Sequence, residues 1–376
     1  MKKIESGNVN IVIIITKGDI GGAQIHVKDM ATALQALGNT VTIIVGEKRE
    51  FTELLESLDI RYHVVENLVR EINPVKDFKA LHDIRTLLAD IKPDLVSIHS
   101  SKAGILGRIA TAMNKIPTTF TAHGWAFTDG VSAKKQLIYK TIEKITSYLP
   151  ARIITVSHYD RGIALKHNIC KPEKLIAIQN GIPDIDPSLF ADPSKSPPQL
   201  IMVARFQHPK DHQTLVEALL PLKHLPWQLS LVGDGEKALQ KACEETITHL
   251  GLQEKIQLLG YRSDIDQLMA NSHIFLLISN WEGFPLSILE AMRAKLPVIA
   301  SRVGGVVETI RNGENGYLVN DKKELTQRLK DLITNSKKRT QLGEQARQDY
   351  LNNFTLEIQL KKTFAVYNEL LTQHHH

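Results

Sequence analysis

The stretch Ser279-Asn280-Trp281-Glu282-Gly283-Phe284-Pro285-Leu286-Ser287-Ile288-Leu289-Glu290-Ala291-Met292 follows an apolar run of strand length at 274–278. Beyond it, Leu286, Leu289, Ala291 and Met292 recur at helical spacing. Gly283 and Pro285 punctuate the junction, and Pro285 suits a first helical turn, where its missing N–H costs nothing. A strand that turns directly into a helix is the repeating unit of a parallel sheet with helical crossovers. Backbone N–H groups from Gly283 through Phe284 to Leu286 would face an anion. Glu282 and Glu290 stand at the same turn and repel a bare phosphate. A ligand carrying phosphates and hydroxyls resolves the conflict, because carboxylates accept hydrogen bonds from hydroxyls. A nucleotide sugar has both. Two solvated acids are the simpler alternative.

The same unit recurs along the chain. Strand-like runs at 9–15, 41–45, 62–65, 95–98, 118–121, 153–156 and 175–178 alternate with helical periodicity and have the continuous apolar character of buried parallel strands. Residues 182–199 hold five prolines with Asp and Ser and read as a linker. The series then restarts at 200–204, 228–232, 256–258, 274–278, 297–300 and 317–319, and the chain closes with helical segments over 324–371. The expected fold is α/β, two Rossmann-like doubly wound domains over 1–181 and 200–356. Ligands of such sheets bind beyond the carboxyl ends of the strands, so both domains should offer loops to one cleft. The terminal 374–376 is all histidine and reads as a tag remnant.

A length of 376 residues exceeds what one core usually organises. With 43% hydrophobic and 23% charged residues the chain is globular rather than disordered. No run approaches the length of a membrane span, and the start lacks the apolar stretch of a signal peptide. Cys170 and Cys243 stand far apart without metal-ligand company, which argues against a disulfide framework or zinc site. A cytoplasmic location is expected. The net charge is only +5, but residues 98–181 hold twelve Lys or Arg against four Asp or Glu. A helix expected at 133–148 combines Leu137, Ile138, Ile142 and Ile145 with Lys134, Lys135, Lys140 and Lys144. It suits an anionic membrane surface and equally an ordinary amphipathic helix. No interleaved aromatic platform points to nucleic acid.

The expected loops carry further candidates. Arg205 and Lys210 follow a strand, just before a helix that Asp211 could cap, and together could neutralise a departing diphosphate. Gly18-Asp19-Ile20-Gly21-Gly22 follows the first strand and would let a phosphate or sugar approach the backbone; it matches neither a dinucleotide fingerprint nor a Walker loop. Gly233, and Tyr261 with Arg262, lie in two more strand-end turns. His123 follows the strand at 118–121, where it could bond a sugar hydroxyl, although a lone histidine is more often structural.

With Glu282 and Glu290 in Glu-Gly-Phe-Pro-Leu-x-x-x-Glu-Ala-Met, Arg205 and Lys210 as Arg-x4-Lys, Gly21-Gly22, and His123-Gly124, the whole chain resembles the retaining GT-B glycosyltransferases of family 4. That resemblance implies that Arg205 and Lys210 hold the diphosphate, Glu282 meets the donor sugar and Glu290 the ribose. It places His123 near the reacting carbon and a C-terminal helix, about 357–373, back on the first domain. It requires no metal or other cofactor. Gln24, where many members carry an acid, and the spacer between Arg205 and Lys210 depart from the commoner pattern.

The resulting expectation is transfer of a sugar, from a UDP-sugar, to a lipid-linked saccharide during bacterial surface polysaccharide synthesis, by a protein resting on the inner membrane face. The alternatives are a nucleotide-sugar epimerase or hydrolase, and a non-catalytic sugar-nucleotide binding protein.

Overall fold

The computed structural model describes residues 2–128, 130–149 and 151–374, the last without its side chain. The pair His375 and His376 of the tag-like end lies outside them. The chain divides into two compact units, 1–180 with 356–376, and 181–355.

The first unit alternates β1 (Asn10–Ile15), α1 (Gly22–Ala36), β2 (Thr40–Val45), α2 (Glu50–Ser57), β3 (Arg61–Val64), α3 (Pro74–Ile91), β4 (Leu95–His99), α4 (Ser101–Met113), β5 (Thr118–Ala122), α5 (Ala133–Thr146), β6 (Arg152–Thr155), α6 (His158–Lys166) and β7 (Leu175–Ala177). The strands form one parallel sheet in the order β3-β2-β1-β4-β5-β6-β7. The period of two along β1 divides the core. Val12 and Ile14 join a cluster with Ala80 and Ile84 of α3 and Ala103 and Leu106 of α4. Ile11, Ile13 and Ile15 join Val27 and Leu34 of α1 and Phe51 of α2 on the opposite face.

The second unit runs β8 (Gln199–Val203), α7 (His212–Leu219), β9 (Gln228–Val232), α8 (Lys237–His249), β10 (Ile256–Gly260), α9 (Ile265–Ala270), β11 (Ile274–Leu277), α10 (Leu286–Arg293), β12 (Val298–Ser301), β13 (Gly316–Val319), α11 (Lys322–Thr334) and α12 (Ser336–Asn353). Its parallel sheet has the order β10-β9-β8-β11-β12-β13. The final helix α13 (Leu356–His374) contributes Phe364, Tyr367 and Leu371 to the α1 side of the first unit's core.

The expected α/β fold of two doubly wound parallel sheets is therefore met, and each of the thirteen strand-like runs is a strand. Two helix starts differ. Helix α10 begins at Leu286 with Pro285 as its N-cap, one residue later than the proline suggested. Helix α1 begins at Gly22 with Gly21 as its N-cap, so Gly21-Gly22 is the start of the helix rather than a free loop.

Candidate functional site

In the second unit the loop after β8 is stitched to the end of β11. The Asp211 N–H donates to the Ile278 carbonyl at 2.9 Å and the Asn280 N–H to the Pro209 carbonyl at 2.9 Å. Asp211 caps α7 by accepting from the Thr214 N–H at 2.9 Å. This brings Lys210 onto Glu282: the ammonium pairs with Oε1, to which the Ser279 hydroxyl also donates at 2.6 Å. Both charged side chains are mostly buried, 16% and 10% exposed. Arg205, on the same loop, is exposed.

Glycines hold this turn close to its neighbours. A Cβ on Gly304, at φ +51°, would stand 1.7 Å from the Glu282 carbonyl oxygen. The Gly305 N–H donates to the Gly283 carbonyl at 2.9 Å, fixing the turn ahead of α10. Gly233 packs against Ala204 and spends its N–H on the Gly260 carbonyl at 2.8 Å, which is a structural use of that turn. Tyr261 is exposed, and Arg262 grips Asp264 with two bonds of 2.8 and 2.6 Å. Phe284 is buried beside Phe354, while Pro285, Leu286 and Glu290 are half-buried around the start and body of α10.

In the first unit His123 is not alone. His99 ends β4, His123 follows β5, and His26 sits near the start of α1, which follows β1; β1, β4 and β5 are neighbours in the sheet. All three imidazoles therefore meet at the carboxyl end of the sheet, where open parallel sheets bind ligands. His99 Nδ1 and His123 Nε2 are 3.0 Å apart, His99 Nε2 is 3.0 Å from the Ser97 hydroxyl, and Gln359 of α13 reaches His26 Nδ1 at 3.2 Å. Burial lowers the His26 pKa to about 4, against the raising effect of a hydrogen bond with Asn180. Burial, reinforced by the neighbouring imidazoles, pushes His99 and His123 well below the usual histidine range. The cluster is neutral at physiological pH. One nitrogen from each ring falls within 4.8 Å of the others, a spacing that a metal ion could use if the lone pairs faced it. Nothing in the sequence alone pointed to this cluster, because its members are brought together by strand order.

The α5 lysines divide. Lys134, Lys135 and Lys144 are exposed, whereas Lys140 lies over the Phe127 ring at 5.8 Å. The helix buries Glu143, bonded to the buried Arg108 at 2.6 Å, and turns Leu137 and Ile145 outward, 66% and 64% exposed.

Two family models cover most of the chain: Glycosyltransferase Family 4 over residues 20–184 and Glycosyl transferases group 1 over residues 188–349. The chain belongs to the GT-B glycosyltransferases of family 4. Among curated relatives, the UDP-Gal:alpha-D-GlcNAc-diphosphoundecaprenol alpha-1,3-galactosyltransferase of Escherichia coli is 29% identical over 88% of this chain and 89% of its own. The capsular polysaccharide biosynthesis glycosyltransferase CapM of Staphylococcus aureus is 23% identical over 89% and 96%. Among solved structures, a glycosyltransferase from Rickettsia africae ESF-5 superposes with TM-score 0.80 at 25% identity over 97% of this chain and 99% of its own. Anabaena Alr3699/HepE in complex with UDP and glucose gives 0.82 at 22% over 96% and 100%, a likeness of fold.

Proposed function

We propose that this glycosyltransferase uses a UDP-sugar and extends a lipid-linked saccharide, with retention of the donor's anomeric configuration, in bacterial surface polysaccharide synthesis. The observation that carries the reading is the Lys210–Glu282 pair at the end of β11, with Arg205 on the loop that delivers Lys210. A cation held on a carboxylate is preorganised: when a diphosphate arrives, Lys210 can turn to its oxygens and release Glu282 to accept from a sugar hydroxyl. Arg205 supplies a second, bidentate cation to the leaving group. Glu290, on α10, would accept from the ribose hydroxyls, and His123 would bond the donor sugar. The reading is supported by the E. coli relative, whose name states a UDP-sugar donor and a lipid diphosphate-linked acceptor.

Association with an anionic membrane is the second part of the proposal. Besides Leu137 and Ile145 on α5, Tyr148 is 76% exposed, and Val75 and Phe78 at the start of α3 are 67% and 74% exposed. Helices α3, α4 and α5 all pack on one side of the sheet, and α5 carries the exposed Lys134, Lys135 and Lys144. Exposed apolar side chains interleaved with lysines suit the boundary between anionic headgroups and acyl chains. No helix among the described residues is long and apolar enough to cross a membrane.

Thermal denaturation with UDP, GDP and NAD tests the donor. UDP at a hundredfold excess over its Kd should stabilise by about 2.7 kcal/mol, with no comparable effect of GDP or NAD. Stabilisation by NAD alone would point to the epimerase class instead.

A further inference from the structure

The histidine cluster contains more order than a role for His123 requires. Tyr367 of α13 is fully buried and its hydroxyl is 2.8 Å from Ser97 Oγ, with the Met30 sulfur and the Thr119 hydroxyl also beside it. Sulfur is a weak acceptor, so the phenol proton goes to Ser97. The Thr119 hydroxyl also donates to Ser97 Oγ, at 3.3 Å. A serine hydroxyl has two acceptor positions and one proton. With both positions filled, the Ser97 proton has one place left, His99 Nε2 at 3.0 Å. His99 then accepts at Nε2 and carries its proton on Nδ1, which donates to His123 Nε2 at 3.0 Å. His123 in turn accepts at Nε2 and carries its own proton on Nδ1. The neighbouring ring obeys the same count: the Gln359 amide nitrogen can only donate, so His26 accepts at Nδ1 and keeps its proton on Nε2.

We propose that Tyr367, Ser97 and His99 form an ordered donor chain that fixes His123 as the Nδ1–H tautomer, so that its Nδ1–H can donate to a ligand oxygen. Tyr367, Ser97 and His99 are positioning residues acting through His123. Burial sustains the chain at both ends. It raises the Tyr367 pKa to about 12, keeping the phenol a donor, and it keeps the imidazoles neutral. The arrangement also assigns a ligand class. A donor at His123 Nδ1 suits a hydroxyl or phosphate oxygen, whereas a metal would need lone pairs from all three rings directed to one point, and His26 is already held by Gln359 and Asn180. The proposal rests on the glycosyl-transfer reading only for what the oxygen belongs to.

Nitrogen NMR of histidine-labelled protein reads the tautomers directly. The expected result is Nδ1–H at both His99 and His123, assigned with His99→Gln and His123→Gln. Ser97→Ala and Tyr367→Phe should convert His99 toward Nε2–H, and Tyr367→Phe should lower turnover about three- to tenfold, the scale of one lost hydrogen bond. Ser97→Thr, which keeps the hydroxyl, should retain the native tautomers and serves if Ser97→Ala does not fold. Nε2–H at His99 or His123 in the unaltered protein overturns the chain, as does a His99 tautomer indifferent to the loss of Ser97 or Tyr367. So does stoichiometric Zn2+ binding that survives His374→Ala, His375→Ala and His376→Ala and is lost in His99→Gln. Native tautomers with full transfer by His123→Ala would keep the chain and remove His123 from the transfer reading.

Discussion

Lys210 and Glu282 are separated by 72 residues in sequence, yet they form one mostly buried ion pair with Ser279. Removing one partner of such a pair leaves the other charge without its partner, so each variant tests function and packing together. Lys210→Ala should lower turnover about a hundred- to a thousandfold, the usual effect of losing a preorganised group at developing charge. Steady-state rates at saturating donor check this, with circular dichroism to confirm the fold; near-normal turnover would remove Lys210 from the chemistry. Gly304→Ala addresses the turn rather than the charge. Its Cβ would overlap the Glu282 carbonyl oxygen, and φ +51° disfavours any side chain, so the melting temperature and donor affinity should both fall. Glu282, Glu290, Arg205 and Lys210 stand out in the sequence because acids beside a helix N-terminus repel the bare phosphate that such a terminus would bind, and cations on a neighbouring loop answer that repulsion. His26 and His99 were not legible as partners of His123. Their encounter depends on β4 lying between β1 and β5, which no local pattern encodes.

At the scale of elements, the strands were readable because both faces of each sheet are covered, which makes them continuous apolar runs. Helix α5 was harder. Its apolar and cationic residues fitted a buried stripe as well as a membrane face, and what settles its rotation is the Arg108–Glu143 pair, a long-range contact invisible to periodicity. With Glu143 inside, Leu137 and Ile145 face outward. Replacing Lys134 and Lys135 with Glu, together with Leu137→Ser and Ile145→Ser, should therefore abolish sedimentation with vesicles containing anionic lipid while leaving the melting temperature within a degree or two. Unchanged vesicle binding would show that this helix is an ordinary solvated one.

At the scale of the whole molecule, buried neutral histidines set the response to acid. His26, His212 and His273 have pKa values lowered to about 4 by burial, and His99 and His123 are lowered as well. Each folded value lies below the unfolded one, so the unfolded chain takes up protons first. Their contribution to stability is complete above about pH 6.5 and is lost as pH falls toward 4, about 3 kcal/mol for His26 by linkage. Denaturant titrations at stepwise lower pH should show the loss beginning below 6.5; a flat profile to pH 4 would contradict it.

Retaining transfer is tested by supplying UDP-sugars with a lipid diphosphate-linked saccharide, then following UDP release and the configuration of the product. One UDP-sugar should release UDP only with acceptor present, giving a product with the donor's anomeric configuration, and Lys210→Ala should suppress both. Acceptor-independent UDP release, or an inverted product, would contradict the account.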